Sequence, residues 1–206
     1  MKSLLIVPIF LFASIACSSQ DIADCIAIVG PYKESDSHKE NEEEVFLTED
    51  ELNQYMQEAS HISSKLNTWP ILEKKTSVIS SFREIVFDEI QLGITVEAKK
   101  GNEVHSAGAG IVDWIGNDVL GLGVYIYIYH GIGVYSVYGH LEKALVQMGD
   151  SISEDQVIAL SGNSGLCDTY CLYFSIFKGI GQNRFGPRTF YDPICIFYWK
   201  SIDENN

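Results

Sequence analysis

The sequence predicts an all-β protein, a compact antiparallel β-sandwich or open barrel, preceded by a short α-helix and an acidic tether. Three observations carry that prediction. From Trp69 onward, short apolar runs at close spacing are separated by glycine-containing turns, with almost no helical periodicity. Of the 206 residues, 46% are hydrophobic and 12% aromatic, enough to bury a core and too many for a disordered or collagen-like chain. The charge is also segregated. The net charge is −14, and residues 21–60 hold 12 Asp and Glu against only Lys33 and Lys39, so an acidic segment precedes a nearly balanced domain. That acidity argues against nucleic acid or an anionic membrane surface as the main partner.

Residues 1–16 have the form of a secretory signal peptide. Lys2 is followed by the apolar run Leu4–Ile15, broken only by Pro8 and Ser14 and too short to span a bilayer, and then by Ala16. Two cleavages fit. A cut before Cys17 would leave that residue as the acylated start of a lipoprotein, while Ser14 and Ala16 equally satisfy the small-x-small rule for ordinary signal cleavage. The cysteine at the cut and the polar Ser18-Ser19-Gln20 after it favour lipidation at Cys17, although Ser14 stands where Leu is usual. Either cleavage exports the protein. The favoured one gives a membrane-anchored lipoprotein facing the periplasm or the cell surface. Cys25, Cys167, Cys171 and Cys195 then remain, and four cysteines allow three pairings.

Residues 17–47 read as the tether, with few apolar side chains to offset the entropy of ordering them. A short helical unit follows over 48–66. Thr48 and Glu51 resemble a capping box, and Leu52, Tyr55, Met56, Ala59 and Ile62 recur at helical spacing over 49–63, so this apolar stripe is expected to pack on the domain. The β domain is expected over 67–200, before a polar tail at 201–206. Within it, strands are predicted at Ile111–Trp114, Val124–Tyr129, Val134–Tyr138, Gln156–Ser161 and Leu172–Phe177. Val124–Tyr129 alternates Val or Ile with Tyr, which suits a strand covered on both sides.

Several short motifs then occur in a telling order. Trp69-Pro70 is followed by Ser80-Ser81-Phe82-Arg83, by Ala98-x-x-Gly101-x-x-Val104, and by the small-residue run Ala107–Gly110 leading into Ile111-Val112. Tyr138-Gly139-His140-Leu141, Val146–Asp150, Gln156-Val157-Ile158 and Gly162-Asn163-Ser164-Gly165 complete the series. In content and order this region resembles the lysostaphin/LytM-type zinc endopeptidases, which cut peptidoglycan cross-bridges. The resemblance implies their compact β fold and places a groove near Tyr138, His140, Tyr170 and Tyr173.

It also implies where the zinc ligands should stand. Family members carry His-x-Gly-x-Asp and a later His-x-His, giving three protein ligands and one open position for water. Here the first motif is Gln91-Leu92-Gly93-Ile94-Thr95 and the second is Cys171-Leu172-Tyr173. The inferred ligand positions are therefore Gln91, Thr95 and Tyr173, and the chain resembles a degenerate member without zinc or any other cofactor. A neutral amide and a hydroxyl are poor zinc donors, and a phenol must first lose a proton near pH ~10. Of the two auxiliary histidines, His140 is retained and Cys171 replaces the other.

The expected function is thus non-catalytic, namely binding peptidoglycan or regulating a cell-wall hydrolase. One alternative is a peptidoglycan metalloendopeptidase or thiol-dependent hydrolase with a non-standard site around His140 and Cys171, since thiolates and imidazole suit zinc and a Cys–His pair can act as nucleophile and base. A second is a structural envelope lipoprotein that binds other proteins. Against a reactive site stands the simpler expectation that Cys171 is a buried thiol or is disulfide-bonded to its neighbour.

Overall fold

The structure, a computed structural model, describes residues 32–33, 49–71, 77–86 and 89–197. The expected signal peptide, Cys17, Cys25, Thr48 and the expected polar tail lie outside the described residues, as do the side chains of Glu51, Leu52 and Met56. Tyr32–Lys33, inside the segment expected as a solvated tether, instead form β1, whose backbone pairs antiparallel with Phe190 and Thr189 and so joins the sheet; helix α1 (Glu49–Ser63) follows. The next strands are β2 (Val78–Ser80), β3 (Ile85–Val86), β4 (Glu89–Ile90), β5 (Ile94–Glu97) and β6 (Glu103–His105). The long hairpins follow, with β7 at Gly110–Asp118, β8 at Gly123–Tyr129 and β9 at Val134–Ala144. The last four are β10 (Ser151–Ile152), β11 (Val157–Ser161), β12 (Cys171–Lys178) and β13 (Thr189–Tyr191).

Eleven strands make one open sheet, along the path β1-β13-β12-β9-β8-β7-β10, while β3 and β4 pair separately. Every pairing named in that sheet is antiparallel. Strand β12 is bordered by β9 on one edge, and shares its other edge between β5 at Cys171–Phe174 and β13 at Ile176–Lys178.

Alternation along these strands decides what is core. On β8, Ile126 and Ile128 are fully buried, whereas Tyr125, Tyr127 and Tyr129 stay half-buried on the opposite face. That tyrosine face is therefore only partly covered. Its rings pack on one another, with Tyr125–Tyr127 centroids 5.6 Å apart, Tyr127–Phe177 6.0 Å and Tyr129–Tyr135 5.0 Å.

Helix α1 adds Tyr55, Ala59 and Ile62 to the core, and Leu66 continues it. Tyr55 stacks on Tyr191 at 5.5 Å. Glu58 accepts hydrogen bonds from the Tyr191 hydroxyl (2.5 Å) and the Lys178 ammonium (3.2 Å). The described part of the stripe, Tyr55, Ala59 and Ile62, thus packs on the domain, as its spacing predicts.

A buried polar chain ties the start of β7 to β9. His130 Nδ1–H donates to the Ala109 carbonyl (2.8 Å), and Nε2 lies 2.7 Å from Ser136 Oγ. Ser136 Oγ is 2.9 Å from the Tyr138 hydroxyl, which accepts the Ala107 N–H at 2.8 Å. Desolvation by burial pushes the His130 pKa down to about 4, against a weaker opposing pull from the Ala109 carbonyl. In the unfolded chain the imidazole titrates near its ordinary value of ~6.5. The unfolded state therefore takes up its proton first as pH falls, so stability is lost between about pH 6.5 and about pH 4 and levels off below. The loss attributable to this group is roughly 3 kcal/mol. In His130→Gln the acidic limb of a stability–pH curve, measured by urea unfolding, should be shallower by about one proton.

Candidate functional site

Three chain segments meet at one end of the tyrosine face, brought together by register. Thr95 on β5 is the direct partner of Tyr173 on β12, and Tyr173 is in turn the partner of Gly139 on β9. Tyr173 and Thr95 are each 7% exposed. The Tyr173 ring lies against Gly93, where an added Cβ would stand 2.8 Å from Cζ of the ring and 2.5 Å from the Phe174 carbonyl oxygen. The Ser175 hydroxyl donates to the Leu92 carbonyl and ties the preceding loop to β12. Gln91 lies two residues before Gly93 and exchanges backbone hydrogen bonds with Arg83 and Glu84. The segments carrying Gln91, Thr95 and Tyr173 are therefore neighbours in space, as are those of Tyr173 and His140.

His140 follows Gly139 with φ 59°, a left-handed conformation that is uncommon for a non-glycine residue. Its N–H donates to the Leu122 carbonyl (2.6 Å), and its Nδ1–H donates to the Ser164 carbonyl (2.9 Å). The ring lies edge-on to Tyr173 at 6.2 Å between centroids. Burial lowers the His140 pKa, opposed by the Ser164 carbonyl, so the imidazole is neutral near pH 7 with Nε2 as its lone-pair nitrogen. Ser164 has no role in the sequence-based expectation, yet it fixes this residue. Besides holding the ring, its hydroxyl donates to the Leu141 carbonyl (2.7 Å) and accepts the Val124 N–H (2.8 Å). The Gly162-Asn163-Ser164-Gly165 turn was its only signal in the sequence.

The cysteines resolve into a pair. Cys167 and Cys171 form a disulfide, and the buried Cys171 stands at the first residue of β12. A ring nitrogen of His140 and the two sulfurs all lie within 4.8 Å of one another. Cys195 keeps its thiol, which hydrogen-bonds Asp192.

One groove residue needs correction. Tyr138 is fully buried on the core side of β9, its ring against Phe174 and its hydroxyl on Ala107 and Ser136, so it lines no surface. The left-handed turn at His140 breaks the two-residue alternation, which is why the next polar side chain faces Tyr173 while Tyr138 does not. Tyr170, 40% exposed, borders an open cleft of about 230 Å³ together with Lys100, Glu142, Asn163 and Ser164.

The donor set at the three inferred ligand positions does not suit zinc. Burial pushes the Tyr173 phenol well above its ordinary value, outweighing its hydrogen bond with Ser175, so it stays protonated and offers no phenolate. Thr95 supplies a neutral hydroxyl where a carboxylate would be needed. No hydrolytic step can be drawn through these three residues.

Comparison with known proteins agrees with this architecture. Residues 89–185 match the model of Peptidase family M23. The chain is 36% identical over 87 residues to the murein hydrolase activator EnvC of Escherichia coli K12, covering 41% of this chain and 20% of EnvC. It is 35% identical over 99 residues to outer membrane antigenic lipoprotein B of Haemophilus influenzae, covering 47% of this chain and 24% of that protein. The chain thus spans about a quarter or less of either relative's length. Among solved structures, the catalytic domain of the prophage-encoded M23 protein EnpA from Enterococcus faecalis superposes with a TM-score of 0.52 at 24% identity, over 60% of this chain and 93% of that one. This last likeness concerns the fold.

Gly93→Ala tests how tightly the site is built. Its Cβ would meet backbone at 2.5 Å, so β5 or β12 must shift. We expect a loss of about 1–3 kcal/mol in urea unfolding. An unchanged midpoint would mean that the Gln91–Thr95 segment can lift off β12.

Proposed function

We propose that this chain, whose residues 89–185 form an M23 peptidase-family domain of the LytM type, acts on the cell wall without hydrolysing it, by binding peptidoglycan or by activating a separate wall hydrolase. The observation that carries this reading is the Tyr173 ring seated on Gly93 opposite Thr95, where a protonated phenol and a hydroxyl replace metal donors. Water near these groups keeps its solution acidity and a scissile carbonyl finds no Lewis acid. The likeness to EnvC, a murein hydrolase activator, supports a regulatory rather than a cutting role. The likeness to an outer membrane lipoprotein supports an envelope location, with lipidation at Cys17, the acidic segment outside β1 as spacer and the domain over 67–200 as the working part.

Two measurements test the proposal. The purified protein should sediment with insoluble peptidoglycan sacculi, or raise the rate of a wall hydrolase from the same cells, while releasing no soluble muropeptides itself. Muropeptide release by the protein alone, or failure of both binding and stimulation, would overturn it. The residue assignment is tested separately by restoring a metal-binding set. The triple variant Gln91→His/Thr95→Asp/Tyr173→His, purified with its disulfide intact, should hold about one zinc per chain where the parent holds none. Equal zinc in both would mean that the three positions were assigned wrongly.

A further inference from the structure

Independently of any wall-directed role, the corner that contains His140 has the makings of a different metal site. Its donors come from three places in the fold: Cys171 at the head of β12, Cys167 on the loop before it, and His140 in β9. None of them is one of the inferred ligand positions Gln91, Thr95 and Tyr173. Three features go beyond the closeness of the donor atoms. First, the spacing Cys167-x-x-x-Cys171 falls within the Cys-x(2–4)-Cys separation usual for zinc thiolates. Second, His140 already donates Nδ1–H to the Ser164 carbonyl, the outer hydrogen bond that metal-bound histidines typically make, which leaves Nε2 as the lone-pair nitrogen. Third, the His140 backbone is held at a positive φ by the Leu122 carbonyl and the Gly162 N–H, so the ring is placed by the scaffold rather than by chance rotation.

We propose that reduction of the Cys167–Cys171 disulfide creates a soft-metal site, in which two thiolates and His140 Nε2 bind one zinc-class divalent cation and leave a fourth position open. The disulfide and the metal are alternative states of one corner. A dithiol reductant supplies two electrons and two protons; the S–S bond breaks, each sulfur becomes a thiol, and the reductant leaves as its own disulfide. The incoming cation displaces both thiol protons to solvent, while the neutral imidazole binds through its lone pair with no proton change. Donor atoms around one tetrahedral ion stand roughly 3.3–3.8 Å apart for bonds of about 2.0–2.3 Å. The two sulfurs and a ring nitrogen of His140 lie within 4.8 Å of one another, close to that spacing. Cys167 is half-buried on the loop before β12, not within a strand.

The test uses the full chain, reduced with a dithiol, freed of reductant without air, and titrated with Co²⁺ as a spectroscopic stand-in for zinc. Reduced protein should show sulfur-to-cobalt charge transfer and tetrahedral d–d bands that saturate at one equivalent and vanish when Zn²⁺ is added. Protein with the disulfide intact should show neither. The bands should be lost or strongly weakened in Cys167→Ser and in His140→Gln, and unchanged in Cys195→Ser. Cys167 lies on a loop, so its serine variant keeps the fold even if a change at the buried Cys171 does not. Absence of the bands in the reduced parent, their survival in Cys167→Ser, or their loss in Cys195→Ser would each overturn the assignment.

Discussion

The pairing of β12 along both edges is the constraint on which the other features depend. Because β5 and β13 share one edge and β9 takes the other, its backbone groups are used up in ladders and its side chains must alternate between two fixed environments. Leu172, Phe174 and Ile176 are fully buried, and Phe174 meets Trp69, Tyr138 and Phe197. Tyr173 faces His140 and Gly93, while Phe177 stacks on Tyr135. A slip of one residue would exchange these two sets, so core packing and site geometry are fixed by the same register.

This coupling explains why the site can keep its shape when its chemistry changes. The tyrosine ladder and the His130–Ser136–Tyr138 chain hold β8 and β9 in place, and neither includes an inferred ligand position. Helix α1 clamps the far end of β12 through Glu58 and Lys178. The scaffold is thus stabilised by burial and by satisfied polar groups distributed across the sheet. Tyr173, one of the inferred ligand positions, is itself part of the hydrophobic core, so an apolar ring there adds to the burial that holds the sheet.

The fold was legible because its signals are local. Alternation in Val124–Tyr129 and the glycine turns on either side marked β8 and the start of β9 to within a residue or so. The full length of β9 was not legible, since it continues through Gly139 and His140 to Ala144, where polar residues interrupt the apolar pattern. The site was legible only where motif order spoke. Tyr138 was misplaced because the resemblance groups it with His140 in one motif, whereas the positive φ of His140 turns the two side chains to opposite faces of β9. The Cys167–Cys171 disulfide was one of the two simple expectations for Cys171, whereas the part played by Ser164 is a product of loop closure, which residue spacing does not determine.

On the proposed reading, the residues at the three inferred ligand positions also make sense as a set. A metal cation lets a buried carboxylate exist at low cost, because each charge compensates the other. Without that cation, an aspartate at the position of Thr95, which is 7% exposed, would be an unpaired buried anion costing several kcal/mol. A histidine at the position of Tyr173 would expose an unsatisfied ring nitrogen to the same dry surroundings, whereas the tyrosine fills the space over Gly93 and is hydrogen-bonded to Ser175. On the proposed reading, losing one donor turns the remaining two into liabilities, and neutral side chains at all three relieve them together. Gln91, Thr95 and Tyr173 are all uncharged near neutral pH, so the strand pair stays buried and satisfied without an ion between its members.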